Sequence, residues 1–140
     1  MYNSVLLRKG LRILIVDSNL DSRELLAIIF NQYGVETIAA TCISESLEIM
    51  ERIQPNLVIG EIALPDGDGY DLIRKVKLFE TKYKVRIPAI ALTIYARKSD
   101  QIGALAAGFC KHLSKPFELE ELIATVASVT QEAPEMAISA

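Results

Sequence analysis

The sequence predicts an α/β fold: a single-domain, doubly wound sheet of five parallel strands with five helices. Three observations lead there. Short continuous apolar runs, of which Ile13-Leu14-Ile15-Val16 is the clearest, carry β-branched residues on both faces, as strands buried on both sides require. Between these runs lie segments whose apolar residues recur at helical spacing. The two patterns alternate along the chain, which implies parallel strands joined by crossover helices. At 140 residues the chain fits one domain, since a domain takes about 100–200 residues.

The first strand, residues 13–16, leads into a helix capped by Asn19, with Leu25, Leu26, Ile29, Phe30 and Tyr33 at helical spacing. Gly34 stops that helix, and residues 35–39 form the second strand. Thr41 or Ser44 caps a second helix carrying Ile43, Leu47, Met50 and Ile53 on one face, until Pro55 breaks it. Leu57-Val58-Ile59 is the third strand. Leu64-Pro65-Asp66-Gly67-Asp68-Gly69 is a turn-rich loop, ahead of a third helix displaying Leu72, Ile73, Val76 and Phe79. Residues 87–92 make the fourth strand. Ser99 or Asp100 opens a fourth helix with Ile102, Leu105 and Ala106 inward, and Gly108 ends it. The fifth strand covers residues 109–113, although Lys111 and His112 interrupt its apolar run. Pro116 starts the last helix, with Glu118, Glu120 and Glu121 where negative charge suits the helix dipole. Its inner face is Leu119, Leu122, Ile123 and Val126. The chain therefore divides into an N-terminal extension at 1–10, a folded domain at 11–129, and a tail at 130–140 that is expected to fray.

Composition excludes several classes. Apolar residues are 51% and charged residues 24%, close to the globular average, so disorder is not expected. Lys and Arg number 15 against 18 Asp and Glu, a net charge of -3, which offers no basic footprint for nucleic acid or an anionic membrane. No apolar run approaches the roughly 18 residues of a membrane span. Val5-Leu6-Leu7, interrupted by Arg8-Lys9, is too short for a signal-peptide core. A soluble cytoplasmic domain is the expectation. Cys42 and Cys110 lack metal-site spacing and are expected to be buried free thiols.

Ligands of open parallel sheets bind outside the carboxyl ends of the strands. Asp17, Glu61 and Thr93 follow or close the first, third and fourth strands, and the fifth runs out through Ser114 to Lys115. Two carboxylates, a hydroxyl and an ammonium thus converge on one rim. No GxGxxG follows the first strand and no GxxxxGK[ST] occurs, which argues against a dinucleotide and a P-loop. Asp66-Gly67-Asp68-Gly69 lacks the remaining spacing and terminal Glu of a calcium loop. His112, the sole histidine, tops the fifth strand as a surface or partner-contact residue.

Five stretches in this order carry a resemblance: Arg12-Ile13-Leu14-Ile15-Val16-Asp17, Leu57-Val58-Ile59-Gly60-Glu61, Leu64-Pro65-Asp66-Gly67-Asp68-Gly69-Tyr70, Pro88-Ala89-Ile90-Ala91-Leu92-Thr93 and Leu113-Ser114-Lys115-Pro116-Phe117. Over 11–129 the chain resembles the receiver domain of two-component response regulators. The resemblance implies a flavodoxin-like sheet of order 2-1-3-4-5. It also implies a phosphoryl group passed from a kinase histidine to an aspartate ending the third strand, with Mg²⁺ neutralising the developing charge. Carried over by position, Asp17 is the first metal acid, Thr93 the hydroxyl and Lys115 the ammonium of the phosphoryl pocket, and Ala63 offers a backbone carbonyl to the metal. Pro116 matches the family's cis-proline. His112 matches an aromatic switch position on the output face, where it would serve as a pH-sensitive ring. The implied partners are a sensor histidine kinase or histidine phosphotransfer protein, and a downstream output protein.

Two positions depart from the family pattern. Ser18 stands where the second metal acid belongs, and Glu61 stands at the phosphoacceptor. Losing a hard anionic ligand weakens Mg²⁺. The extra methylene of Glu61 sets its carboxylate about 1.5 Å deeper, and a misplacement of about 1 Å can cost on the order of a hundredfold in rate. Glu61 either reaches Lys115 and imitates a phosphorylated aspartate, or is a tolerated replacement in a scaffold. A direct or short water-bridged Glu61–Lys115 contact, partly exposed and worth no more than about 1 kcal/mol, is expected, with Thr93 close by.

The sequence thus points to a stand-alone, phosphorylation-independent pseudo-receiver that acts by protein–protein interaction and is not an enzyme. The alternative is a receiver still phosphorylated with Mg²⁺. A haloacid-dehalogenase-like phosphatase is the remote alternative; it needs Asp-x-Asp after the first strand, where this chain has Asp17-Ser18-Asn19.

Overall fold

Apolar runs with no polar face have nowhere to lie except inside a sheet covered on both sides, and that is where they are found. The computed structural model describes residues 7–131. The main sheet consists of β1 (Arg12–Val16), β2 (Glu36–Ala40), β3 (Leu57–Gly60), β6 (Ala89–Thr93) and β7 (Lys111–Ser114), in the order β2-β1-β3-β6-β7. Every neighbouring pair in it is parallel. Counting only these strands, the order is the expected 2-1-3-4-5. The helices are α1 (Leu20–Gln32), α2 (Ile43–Arg52), α3 (Gly69–Tyr83), α4 (Lys98–Ala107) and α5 (Leu119–Thr130).

Alternation along each strand divides the core in two. Leu14, Val16, Val58, Ala89 and Ala91 face α2, α3 and α4, meeting Met50, Ile73, Val76 and Ala104. Ile13, Ile15, Ile59, Ile90 and Leu92 face α1 and α5, meeting Leu26, Phe30, Leu122, Ile123 and Val126. The expected inner face of α3 is borne out, with Leu72, Ile73, Val76 and Phe79 all buried.

Several local expectations need correction. The loop after β3 contains a small antiparallel hairpin, β4 (Ala63–Leu64) with β5 (Gly67–Asp68). Neither Thr41 nor Ser44 caps α2. Its N-cap is Cys42, and the carboxylate of distant Asp66 accepts from the Ile43 and Ser44 N–H groups at 2.9 and 3.0 Å. A cap borrowed across 22 residues leaves no local signature in sequence. The fourth helix begins at Lys98 rather than at Ser99 or Asp100, and Asp100 instead accepts from the Arg97 N–H.

The inward face assigned to α4 is also wrong: Ile102 and Leu105 are 59% and 48% exposed, and Ala106 is exposed. The helix packs through small residues. Ala104 is its one buried residue, and a Cβ at Gly103 would stand 3.0 Å from the Tyr70 hydroxyl, so large side chains have no room on that side. Leu25 in α1 and Leu119 in α5 also turn outward, at 49% and 46% exposed. The fifth strand is shifted to Lys111–Ser114. Cys42 and Cys110 are free as expected but half-buried.

Gly34, at φ +73 just past α1, holds a left-handed turn that favours glycine. Thr130 is helical and buried, so the expected frayed tail does not start there; the rest of that tail and residues 1–6 lie outside the described residues. Among the described residues no helix is long and apolar enough to cross a membrane.

Candidate functional site

Three site residues are fixed first by their own backbones. The Asp17 N–H donates to Ala40 O, the Glu61 N–H to Val16 O and the Lys115 N–H to Thr93 O, at 3.0, 3.0 and 2.8 Å. Each bond extends a ladder one step past the strand end, so each side chain leaves the sheet at the same rim. The resulting cleft, about 270 Å³, is lined by Asp17, Ser18, Glu61, Ala63, Tyr95 and Lys115 among others. The Lys115–Pro116 peptide is cis, as the resemblance implied.

Lys115 crosses over β6 to the two acids. Its Nζ donates to Asp17 Oδ2 at 2.7 Å, to Glu61 Oε1 at 3.0 Å and to Ser22 Oγ at 3.2 Å. An ammonium has three hydrogens, and all three are used. The other carboxylate oxygens are also held: Asp17 Oδ1 accepts from the Asn19 N–H at 2.9 Å, and Glu61 Oε2 from the Ile62 N–H at 2.7 Å. Burial opposes the charge on Lys115, but the hydrogen bonds and charges of Asp17 and Glu61 outweigh it and hold the lysine above its ordinary value.

The Glu61–Lys115 contact is therefore direct, and it is partly exposed as expected through Lys115, whose side chain is 17% exposed, more than through the acids. Asp17 and Glu61 are only 5% and 8% exposed. Thr93 is fully buried at the end of β6, and its hydroxyl accepts from the Tyr95 N–H at 3.1 Å; the donors on Lys115 go elsewhere. His112 is half-buried, and its Nε2 lies 3.0 Å from the Tyr95 carbonyl. A carbonyl only accepts, so Nε2 carries the hydrogen. Nδ1 is then left as the buried side-chain atom without a partner among the described residues.

Sequence reasoning missed two contributors. Ser22 sits at the third position of α1, where the Asn19 cap points its first turn at the rim, and Arg23 Nη1 donates to the Asp17 carbonyl at 2.9 Å. Ser22, in the first turn of the helix that follows Asp17, was legible from its place; the reach of Arg23 was not.

The sequence model of the response regulator receiver domain matches residues 13–127. The chain belongs to the response regulator receiver domain family. An uncharacterized 14.6 kDa protein from the sodA1 3'region of Leptolyngbya boryana is 40% identical, the match covering 81% of this receiver and 86% of that protein. The regulatory protein AtoC of Escherichia coli is 34% identical over 79% of this receiver, which spans only 23% of AtoC. A two-component response regulator from Clostridium difficile superposes with a TM-score of 0.80 at 27% identity, covering 88% of this receiver and 98% of that chain.

Mg²⁺, implied by the resemblance at Asp17, Glu61 and the Ala63 carbonyl, does not fit the donor set of this receiver as it stands. Each carboxylate oxygen already faces a donor, Ser18 offers only a neutral hydroxyl, and an ammonium lies between the two acids. Among the described residues no three His, Cys, Asp or Glu side chains are grouped to hold a metal. Such an ion demands near-octahedral oxygen ligands at about 2.0–2.1 Å.

Proposed function

We propose that this receiver works as a phosphorylation-independent, non-enzymatic binding module of two-component signalling in the cytoplasm. One observation carries the reading: Glu61, at the phosphoacceptor position, already has its carboxylate bound by Lys115 and by the Ile62 N–H. A nucleophile must present an oxygen in line with the incoming phosphorus, and each oxygen of Glu61 is already oriented by a donor of the chain. Its partners are a histidine kinase or histidine phosphotransfer protein on one side and an output protein on the other. Output is expected through the α4 side, where Ile94, Tyr95, Ile102 and Leu105 are bare.

Retention of Asp17, Thr93 and Lys115 favours a second reading, Mg²⁺-dependent phosphorylation of Glu61 itself. Acetyl phosphate with Mg²⁺, followed by intact-mass measurement, separates the two. Wild-type protein should gain nothing, whereas Ser18→Asp with Glu61→Asp should gain about 80 Da, one phosphoryl group. A gain mapped to Glu61 in the wild type would establish the second reading instead.

A further inference from the structure

Asp17 Oδ2 and Glu61 Oε1 both touch one atom, Lys115 Nζ, so they lie within about 6 Å of each other, close enough for like charges to disfavour one another strongly. Such a buried pair of acids needs a cation. In this chain the cation is covalent. The ammonium spends its three hydrogens on Asp17, Glu61 and Ser22, and the two outer carboxylate oxygens are closed by the Asn19 and Ile62 N–H groups. Every oxygen of the two acids thus already has a donor within the chain, and an ion from solution would compete with the ammonium for them.

We propose that Lys115 is the resident cation of the pocket, holding the place between Asp17 and Glu61 that a divalent ion would need, and that removing its ammonium converts the pocket into a divalent-cation site. The inference rests on the binding-module reading above and explains how the pocket dispenses with Mg²⁺. A divalent ion entering the intact pocket meets an ammonium among the ligands and must break three hydrogen bonds to displace it. With the ammonium gone, two buried carboxylates remain beside the hydroxyls of Ser18 and Ser22 and the exposed segment at Ala63. That is a hard-oxygen set suited to Mg²⁺ or Mn²⁺, with water completing the shell. The state of the wild-type domain is then independent of the Mg²⁺ concentration around it.

Calorimetric titration with Mg²⁺ and with Mn²⁺, and thermal unfolding with and without each ion, test this on wild-type protein, Lys115→Ala and Lys115→Met. Wild type should show no saturable binding at millimolar metal and an unchanged Tm. Both variants should bind at least about tenfold more tightly than wild type, the scale on which a ligand-shell change acts, and their Tm should rise with metal. If a variant is unfolded alone, recovery of its fold on adding metal supports the proposal equally. Sub-millimolar binding by wild type overturns it. So does a folded variant that gains no binding, or an unfolded pair that metal fails to recover. The phosphoryl-mass test stands apart: wild type that binds Mg²⁺ yet takes no phosphoryl group sinks this inference and leaves the binding-module reading intact.

Discussion

The rim of the sheet has two halves built on opposite terms. Over β1 and β3 the polar groups are closed on one another: three ammonium hydrogens and four carboxylate oxygens all have partners within the chain. Past β6 the surface is unfinished. Ile94 is 66% exposed, Ile102 and Leu105 are bare on α4, and among the described residues the buried His112 Nδ1 lacks a partner. A closed buried network supplies stability and shape, while an open apolar surface supplies a place to bind. On the binding-module reading proposed above, the pocket serves as a structural keystone and partners meet the α4 side.

The largest effect should come from opening the closed half. Lys115→Met leaves two buried carboxylates without their cation, and removing one member of such a network costs about 3–5 kcal/mol. Urea unfolding reads it directly; a loss below about 1 kcal/mol, the range of a surface pair, would mean the network is not effectively buried. The pH dependence sharpens the point. A lysine whose pKa is raised on folding contributes stability that is complete below its unfolded value and is lost as pH rises through the folded one. The stability gap between wild type and Lys115→Met should therefore be constant at neutral pH and narrow above about pH 10.4.

A smaller loss is expected for Glu61→Gln, which keeps the shape and an acceptor for Lys115 but removes one charge. The expected cost is about 1–2 kcal/mol by chemical denaturation. Reduced binding to an output partner would make Glu61 a phosphoryl mimic; unchanged binding would leave it an element of a scaffold. Smaller again is His112→Phe, which forfeits the bond to the Tyr95 carbonyl and should cost about 1 kcal/mol. The smallest change belongs to the open half. Ile102→Asp should leave unfolding stability within about 0.5 kcal/mol of wild type, as surface substitutions do. A loss of about 2–5 kcal/mol, the cost of emptying a core position, would show that α4 is packed inward after all.

The sequence alone determined the alternation of strands and helices, the parallel sheet and the rim residues Asp17, Glu61, Thr93 and Lys115. These follow from local pattern: a strand buried on both faces must be apolar throughout, and polarity returns where it surfaces. It also located the two departures, Ser18 and Glu61, and the contact between Glu61 and Lys115. Tertiary structure alone decided the rest. Asp66 caps α2 from a hairpin 22 residues away, and Ser22 and Asp17 share with Glu61 the ammonium of Lys115. Leu105 turns to solvent because Gly103 and Ala104 bring α4 close against α3. Periodicity says that a helix has an apolar face, but only the neighbours say whether that face is covered. In the same way, spacing brings charges to one rim, and only burial makes them share a single proton-rich centre.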